Sequence, residues 1–299
     1  MTVTTFGSRA IGLAVGAAAA LAALPVLAAT YGQPVDGQLG LQMPASPVAQ
    51  SINDFHTNVT IIITAITIFV LALMLYVMVR YSEKNNPEPS RVTHNTAIEV
   101  AWTVIPIIIL VMIAVPSFKL LNLQYSYPKP DLTIKATGYQ WYWGYEYPDL
   151  DGHSFEAIML TDEERAEHKA KTGIDLPRNL ATDNELVVPL NKVVHVLVTA
   201  SDVLHNWTVP GFGSKTDAVP GRLTATWFQP THEGVFYGQC SELCGKDHAF
   251  MPIMVRVVKQ ETYDAWAAAV KAKDKKGAKD ILQKAALEQA GITAVATTN

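Results

Sequence analysis

Two apolar runs long enough to cross a bilayer, followed by many short β-patterned segments set between turn residues, predict the fold class. It is a membrane α plus all-β chain: an N-terminal two-helix transmembrane hairpin, then a Greek-key β-sandwich. The 299 residues suit one or two folded units, and 49% of them are hydrophobic. A net charge of −4 argues against nucleic acid and suits a basic partner.

Residues 1–29 read as a secretory leader. Arg9 charges its start, Ile11 to Leu27 is apolar, and Val26-Leu-Ala28 or Leu27-Ala-Ala29 offers a cleavage site. Residues 30–55, rich in Gly, Pro, Gln and Ser, are expected to be an exposed lead-in. The charge-free run Val59 to Val79 places a first transmembrane helix at 56–80, and Val100 to Phe118 places a second at 97–121. Pro106 and Pro116 in the second are tolerable inside a membrane, where neighbouring groups absorb the lost backbone bonds. The loop 81–96 carries Lys84 and Arg91 and follows Arg80, whereas residues 30–58 contain no Lys or Arg. The positive-inside rule therefore puts the loop in the cytoplasm and both ends outside. Glu99, at the cytoplasmic mouth of the second span, is either a functional carboxylate or an ordinary first-turn acid favoured by the helix dipole.

Strands are expected within 122–260: Asp131–Gly138, the aromatic Tyr139–Tyr147, Glu185–Leu190, Lys192–Ala200, Leu204–Val209, Arg222–Gln229, Gly234–Gln239 and Pro252–Lys259. Residues 161–181 interrupt them with a capped, highly charged helix, read as a solvated excursion. In 261–299, a helix bearing Tyr263, Trp266 and Val270 is expected to pack back, with a mobile tail past Lys275.

The chemistry concentrates in Cys240-Ser-Glu-Leu-Cys-Gly-Lys-Asp-His-Ala-Phe-Met251, which holds both cysteines of the chain. Thiolate, imidazole and thioether form the soft ligand set that selects copper. A blue-copper site needs one cysteine and two histidines, so the second thiolate is in excess and can bridge a second copper. His205 is the candidate for the second imidazole. A disulfide and a closed zinc site of Cys240, Cys244, His248 and His205 are the competing readings, and Met251 could be core filler.

Residues 50–266 resemble subunit II of the bacterial respiratory, aa3-type haem–copper cytochrome c oxidases. The resemblance rests on the hairpin and on Gln140-Trp-Tyr-Trp-Gly-Tyr-Glu-Tyr147, Asp202-Val-Leu-His-Asn-Trp207, Lys215-Thr-Asp-Ala-Val-Pro-Gly-Arg222 and Gly238-Gln-Cys-Ser-Glu-Leu-Cys-Gly245. It implies a cupredoxin-like sandwich carrying a dinuclear CuA centre of two copper ions. Cys240 and Cys244 would be the bridging thiolates, His205 and His248 the imidazole ligands, and Met251 and the Glu242 carbonyl the weak outer ligands. The Glu242 side chain would face a magnesium ion at subunit I. The family further implies Trp141 as the port for electrons and Glu99 as the entrance of a proton path. Glu146, Asp183 and Asp202 would dock cytochrome c, and Ser201 stands where some relatives have another acid.

The implied activity is cytochrome-c oxidase: electrons from cytochrome c pass to subunit I, beside subunit III, for reduction of oxygen coupled to proton translocation. The implied location is the bacterial inner membrane, with the copper domain periplasmic. A nitrous oxide reductase would need a large propeller domain, and a quinol oxidase subunit would lack the copper ligands. A membrane-tethered copper chaperone is the alternative from another class, and it would hold its ligands in open, exchangeable loops.

Overall fold

The computed structural model describes residues 31–291, so the leader expected over 1–29 lies outside the described residues. The first helix, α1 (Pro47–Arg80), starts nine residues before the expected 56. Ser46 caps it by accepting from the Ala49 amide, and Pro47 occupies the first turn, where its missing N–H costs nothing. The Ser46 hydroxyl also donates to the buried Phe212 carbonyl at 2.7 Å, tying the head of the helix to the sandwich. Helix α2 (Thr96–Gln124) runs through Pro106 and Pro116 and has no buried residue. Val48 and Ala49 of α1 are buried, but the apolar stretches of both helices are uncovered by the rest of the chain and have the composition and length of membrane spans.

The lead-in is less exposed than expected. Tyr31 stacks on His232 at 4.0 Å between ring centroids, and the Gly32 carbonyl accepts from the Tyr237 amide. A Cβ on Gly32 would lie 2.1 Å from the Val235 carbonyl oxygen, so only glycine permits this approach.

Ten strands follow: β1 (Leu132–Tyr139), β2 (Tyr142–Tyr147), β3 (His153–Ala157), β4 (Leu186–Pro189), β5 (Val194–Ala200), β6 (His205–Val209), β7 (Ser214–Ala218), β8 (Thr224–Phe228), β9 (Gly234–Cys240) and β10 (Pro252–Val258). They form two five-stranded sheets, ordered β3-β2-β1-β5-β8 and β4-β10-β9-β6-β7. The pairs β1–β5 and β4–β10 are parallel; the other pairings are antiparallel. Alternate residues of β1 and β5 (Ile134, Ala136, Val196, Val198) point into the core, where they meet Trp143, Trp207, Phe228 and Phe236.

Further expectations are corrected. The expected aromatic strand Tyr139–Tyr147 is a hairpin, with Gln140-Trp141 as its two-residue turn and Tyr139 paired to Tyr142. The charged insert holds helix α3 (Asp162–Thr172), opened by a capping box from Thr161 and Glu164 and solvated as expected, with no buried residue, but the rest of the insert is not. Its return leg buries Leu176 and Ala181 against Tyr237 and Met254 on the outer face of the second sheet. That cover buries Met254, and every other residue of β10 is buried too.

From Lys275 to Gln289 the chain is likewise packed, where a mobile tail was expected. Helix α4 (Gln260–Lys271) buries Tyr263, Trp266 and Ala267, and α5 (Lys275–Gln289) buries Ala278 and Ala285. Two alanines one heptad apart give α5 a narrow seam that lets it lie close. Arg256, only 6% exposed, pairs with Glu185 and donates to the Gln289 side-chain oxygen, while Gln289 donates to the Val257 carbonyl. Arg256→Ala leaves the Glu185 carboxylate buried without its partner and is expected to cost about 3 kcal/mol. Chemical unfolding of the detergent-solubilised chain reads that cost, and hydrogen exchange should show the α5 amides opening first.

Candidate metal centre

The site lies where one end of each sheet meets the other. His205 opens β6 and Cys240 closes β9, and pairing of these strands sets Cys240 opposite Trp207. The chain then loops through a short 3₁₀ turn at His248–Phe250 and returns as β10, where Pro252 pairs with Gln239. Both ends of the ligand loop are thus anchored in one sheet. From the other sheet, Gly138 of β1 lies under the His205 ring; a Cβ there would come within 2.7 Å of the imidazole Cδ2.

The six expected donors converge. The Cys240 and Cys244 sulfurs are 3.9 Å apart and both thiols are free. His205 Nδ1 is 3.9 Å from the Cys240 sulfur, and His248 Nδ1 is 3.5 Å from the Cys244 sulfur. The Glu242 carbonyl oxygen is 3.2 Å from the Cys240 sulfur, and the Met251 thioether is 3.5 Å from the Cys244 sulfur. Ligating atoms of His205, Cys240 and Cys244 all lie within 4.8 Å of one another, in a group that could hold a metal ion. The Glu242 side chain points away from this cluster into an exposed position.

Electrostatics prepares the sulfurs unequally. Burial pushes the Cys240 thiol up, but His205 and backbone groups at Asn206 and Glu242 overcome it and leave the thiol at about 7. Burial and the neighbouring Cys240 push Cys244 up to about 12. Two thiolates this close repel each other, so both ionise together only when a cation sits between them.

Asp202, expected as a docking acid, is engaged beside the cluster. Its carboxylate accepts from His205 Nε2 at 2.8 Å, from the Val203 amide at 2.7 Å and from the Gln140 amide at 2.7 Å. Holding the Nε2 proton leaves the Nδ1 lone pair aimed at the sulfurs, the way an outer carboxylate orients a histidine ligand. Although burial opposes it, these bonds hold the Asp202 carboxyl below the usual range.

Trp141, on the hairpin turn, donates its indole N–H to the Cys244 carbonyl at 3.3 Å. The Gln140 side chain donates to that same oxygen at 2.8 Å, a role its sequence did not announce. Gly245, at φ +129°, lies against the indole, where a Cβ would be 2.9 Å from Cζ2. The remaining expected residues stand apart from the cluster. Glu146 pairs with Lys135 across β1–β2 at 3.5 Å, and Asp183 accepts from the amides of Ile158 and Asn184. Glu99 sits in the first turn of α2, its carboxylate accepting from the amide of the capping residue Asn95.

The sequence matches two family descriptions: "Cytochrome C oxidase subunit II, transmembrane domain" over residues 34–120 and "Cytochrome C oxidase subunit II, periplasmic domain" over 132–258. The chain belongs to the cytochrome c oxidase subunit II family. Cytochrome c oxidase subunit 2 of Cereibacter sphaeroides is 48% identical over 271 residues, covering 85% of this chain and 89% of the relative. The probable subunit 2 of Rickettsia conorii is 49% identical over 238 residues, covering 79% of this chain and 73% of the relative. Among solved structures, the periplasmic domain of subunit II of cytochrome oxidase from Bradyrhizobium japonicum is 53% identical, with a TM-score of 0.44, covering 49% of this chain and 97% of that domain. The two five-stranded sheets behind two membrane-type helices are the β-sandwich and anchoring hairpin expected of that family.

Asp202→Ala should weaken metal binding about 10- to 100-fold while leaving the six donors in place. Competition against a chelator measures the loss; unaltered affinity would show that His205 needs no help from the carboxylate.

Proposed function

We propose that this chain is the electron-accepting subunit of a membrane-bound cytochrome c oxidase and holds a dinuclear copper CuA centre. The observation that carries the reading is the paired donor set. Each sulfur has its own imidazole and its own weak donor: His205 and the Glu242 carbonyl beside Cys240, His248 and Met251 beside Cys244. A tetrahedral zinc ion takes four ligands, and six donors in this arrangement exceed its need. A disulfide needs sulfurs about 2.05 Å apart, roughly half the separation here. A pair of ions would use every donor, with Cys240 and Cys244 held by both.

When bound, the copper pair supplies one-electron chemistry, with the change in charge shared across both metals. The chain's part is to keep the ligands still. Strand pairing fixes Cys240, Asp202 fixes His205, and the Gln140 and Trp141 donors grip the Cys244 backbone. The last of these also makes Trp141 the port: its indole reaches a ligand's own carbonyl through one hydrogen bond. Electrons arriving from cytochrome c would pass there and onward to the haem and copper centres of subunit I, which reduce oxygen to water with proton translocation. The exposed Glu242 carboxylate would hold magnesium at the contact with subunit I, a hard ligand for a hard ion. The apolar outer faces of α1 and α2 would pack against subunits I and III. Glu99 would stand at a proton entrance on the cytoplasmic side, with the sandwich on the periplasmic side of the inner membrane.

Copper reconstitution followed by metal analysis and electron paramagnetic resonance tests this reading. Two coppers per chain with one spin spread over both nuclei are expected; a single copper, a preference for zinc or a cross-linked thiol pair rejects it. In the assembled oxidase, Trp141→Ala should cut cytochrome c oxidation by at least about tenfold, since a misplaced redox path costs rate steeply, with the copper signal intact. Glu99→Ala should slow proton uptake while electron arrival stays normal, which time-resolved absorbance with a pH indicator distinguishes.

A further inference from the structure

We propose that Lys246 is a specificity-determining residue at the Trp141 port, a cationic cap that an incoming electron carrier must draw off the ring. The inference rests on the reading of Trp141 as the port. The Lys246 ammonium lies 5.6 Å from the centre of the Trp141 ring, within reach of the negative face of the indole. The ring cannot turn away, because the Cys244 carbonyl holds its N–H and Gly245 lies against its six-membered edge. Lys246 follows directly on Gly245, so the loop that carries the metal ligands also places the cap.

The cap is loosely held. Its side chain is 77% exposed, and its ionic partner is Asp247 at 3.7 Å. Exposed pairs of this kind contribute little, and a lysine stem turns freely. A carrier can therefore remove the ammonium by offering an oxygen acceptor of its own.

The charge pattern explains what such a cap selects. From Cys240 to Met251, Lys246 is the sole Lys or Arg, against Glu242 and Asp247, and Asp202 stands beside the same hairpin turn. An entirely acidic port would hold any polycation in many orientations. One lysine over the ring adds a repulsion at the centre, and discrimination between partners commonly needs such a repulsive element. A carrier with a lysine directly over Trp141 is disfavoured. A protein that sets an apolar redox edge there, with a carboxylate or backbone carbonyl beside it, is accepted in one orientation.

The test uses the intact oxidase complex with Lys246→Glu and Lys246→Gln, and two probes: a cytochrome c ringed by lysines at its exposed haem edge, and an acidic cytochrome c. For Lys246→Glu, kcat/KM with the basic probe should rise about three- to tenfold at low ionic strength, through KM, and fall with the acidic probe. Lys246→Gln should move both in the same directions by less, and high salt should erase the differences. The copper spectrum should not change. An unaltered ratio between the two probes in both variants overturns the inference. Trp141→Ala in the same assay separates the two claims: crippled turnover beside an unaltered probe ratio removes the cap alone, whereas unimpaired turnover removes the port and the cap with it.

Discussion

The structure depends on keeping two buried sulfurs close without letting them join. At 3.9 Å, Cys240 and Cys244 are near enough to share metal ions and too far apart to be bonded. Attraction does not set this distance, since ionised thiols repel and oxidised ones would collapse together. It is set by holding each cysteine from a different direction. Cys240 is the last residue of β9, and its height is fixed by the register that faces it to Trp207. Cys244 belongs to no strand. Its backbone is gripped from the other sheet by the Gln140 amide group and the Trp141 indole, both donating to its carbonyl.

Gln140 ties the two halves of the centre together. Its main-chain N–H donates to Asp202, which orients His205, and its side chain donates to the carbonyl of Cys244. One residue on a hairpin turn thus supports one ligand from each ligand-bearing segment. The donor pair is preorganised by strands, so that under the proposed function little structural change would be asked of it when charge arrives. This also separates the site from that of a copper store, whose ligands must open to release their metal. Here His205, Cys240, Cys244 and Met251 are all buried, and the first three are each held by a neighbour in the frame.

The compact parts of this arrangement were legible in the sequence and the distributed parts were not. The twelve residues from Cys240 to Met251 announce soft ligands at once, and the apolar runs announce the hairpin. The turn at Gln140-Trp141 escaped because neither residue favours a turn; its partners Asp202 and Cys244 are far away in the chain and supply the reason for it. Strand β7, Ser-Lys-Thr-Asp-Ala, has a polar pattern and owes its existence to β6 beside it. Helix α5 buries two alanines and begins Lys-Lys-Gly, a surface pattern until Arg256 of β10 is found holding Gln289 at its far end. The early start of α1 could have been read from Ser46-Pro47, since a capping serine before a first-turn proline is a local signal.

The same accounting changes how the acidic side chains act at a distance. Asp202 and Asp183 are occupied, but their donors are amides and, for Asp202, a ligand imidazole that is neutral when it binds a metal. A carboxylate that accepts hydrogen bonds from neutral groups keeps its full charge, and its field still reaches a partner across about 8 Å of salt solution. Glu146 differs, because Lys135 stands 3.5 Å away and the pair is nearly neutral when viewed from outside. Of the three acids matched to the family's docking positions, Asp202 and Asp183 therefore keep their negative field, while Glu146 contributes mainly to the β1–β2 pairing. Under the proposed reading, attraction of a basic carrier would be weighted toward Asp202, the acid hydrogen-bonded to the Trp141 hairpin, so that the steering field and the electron path would converge on the same turn.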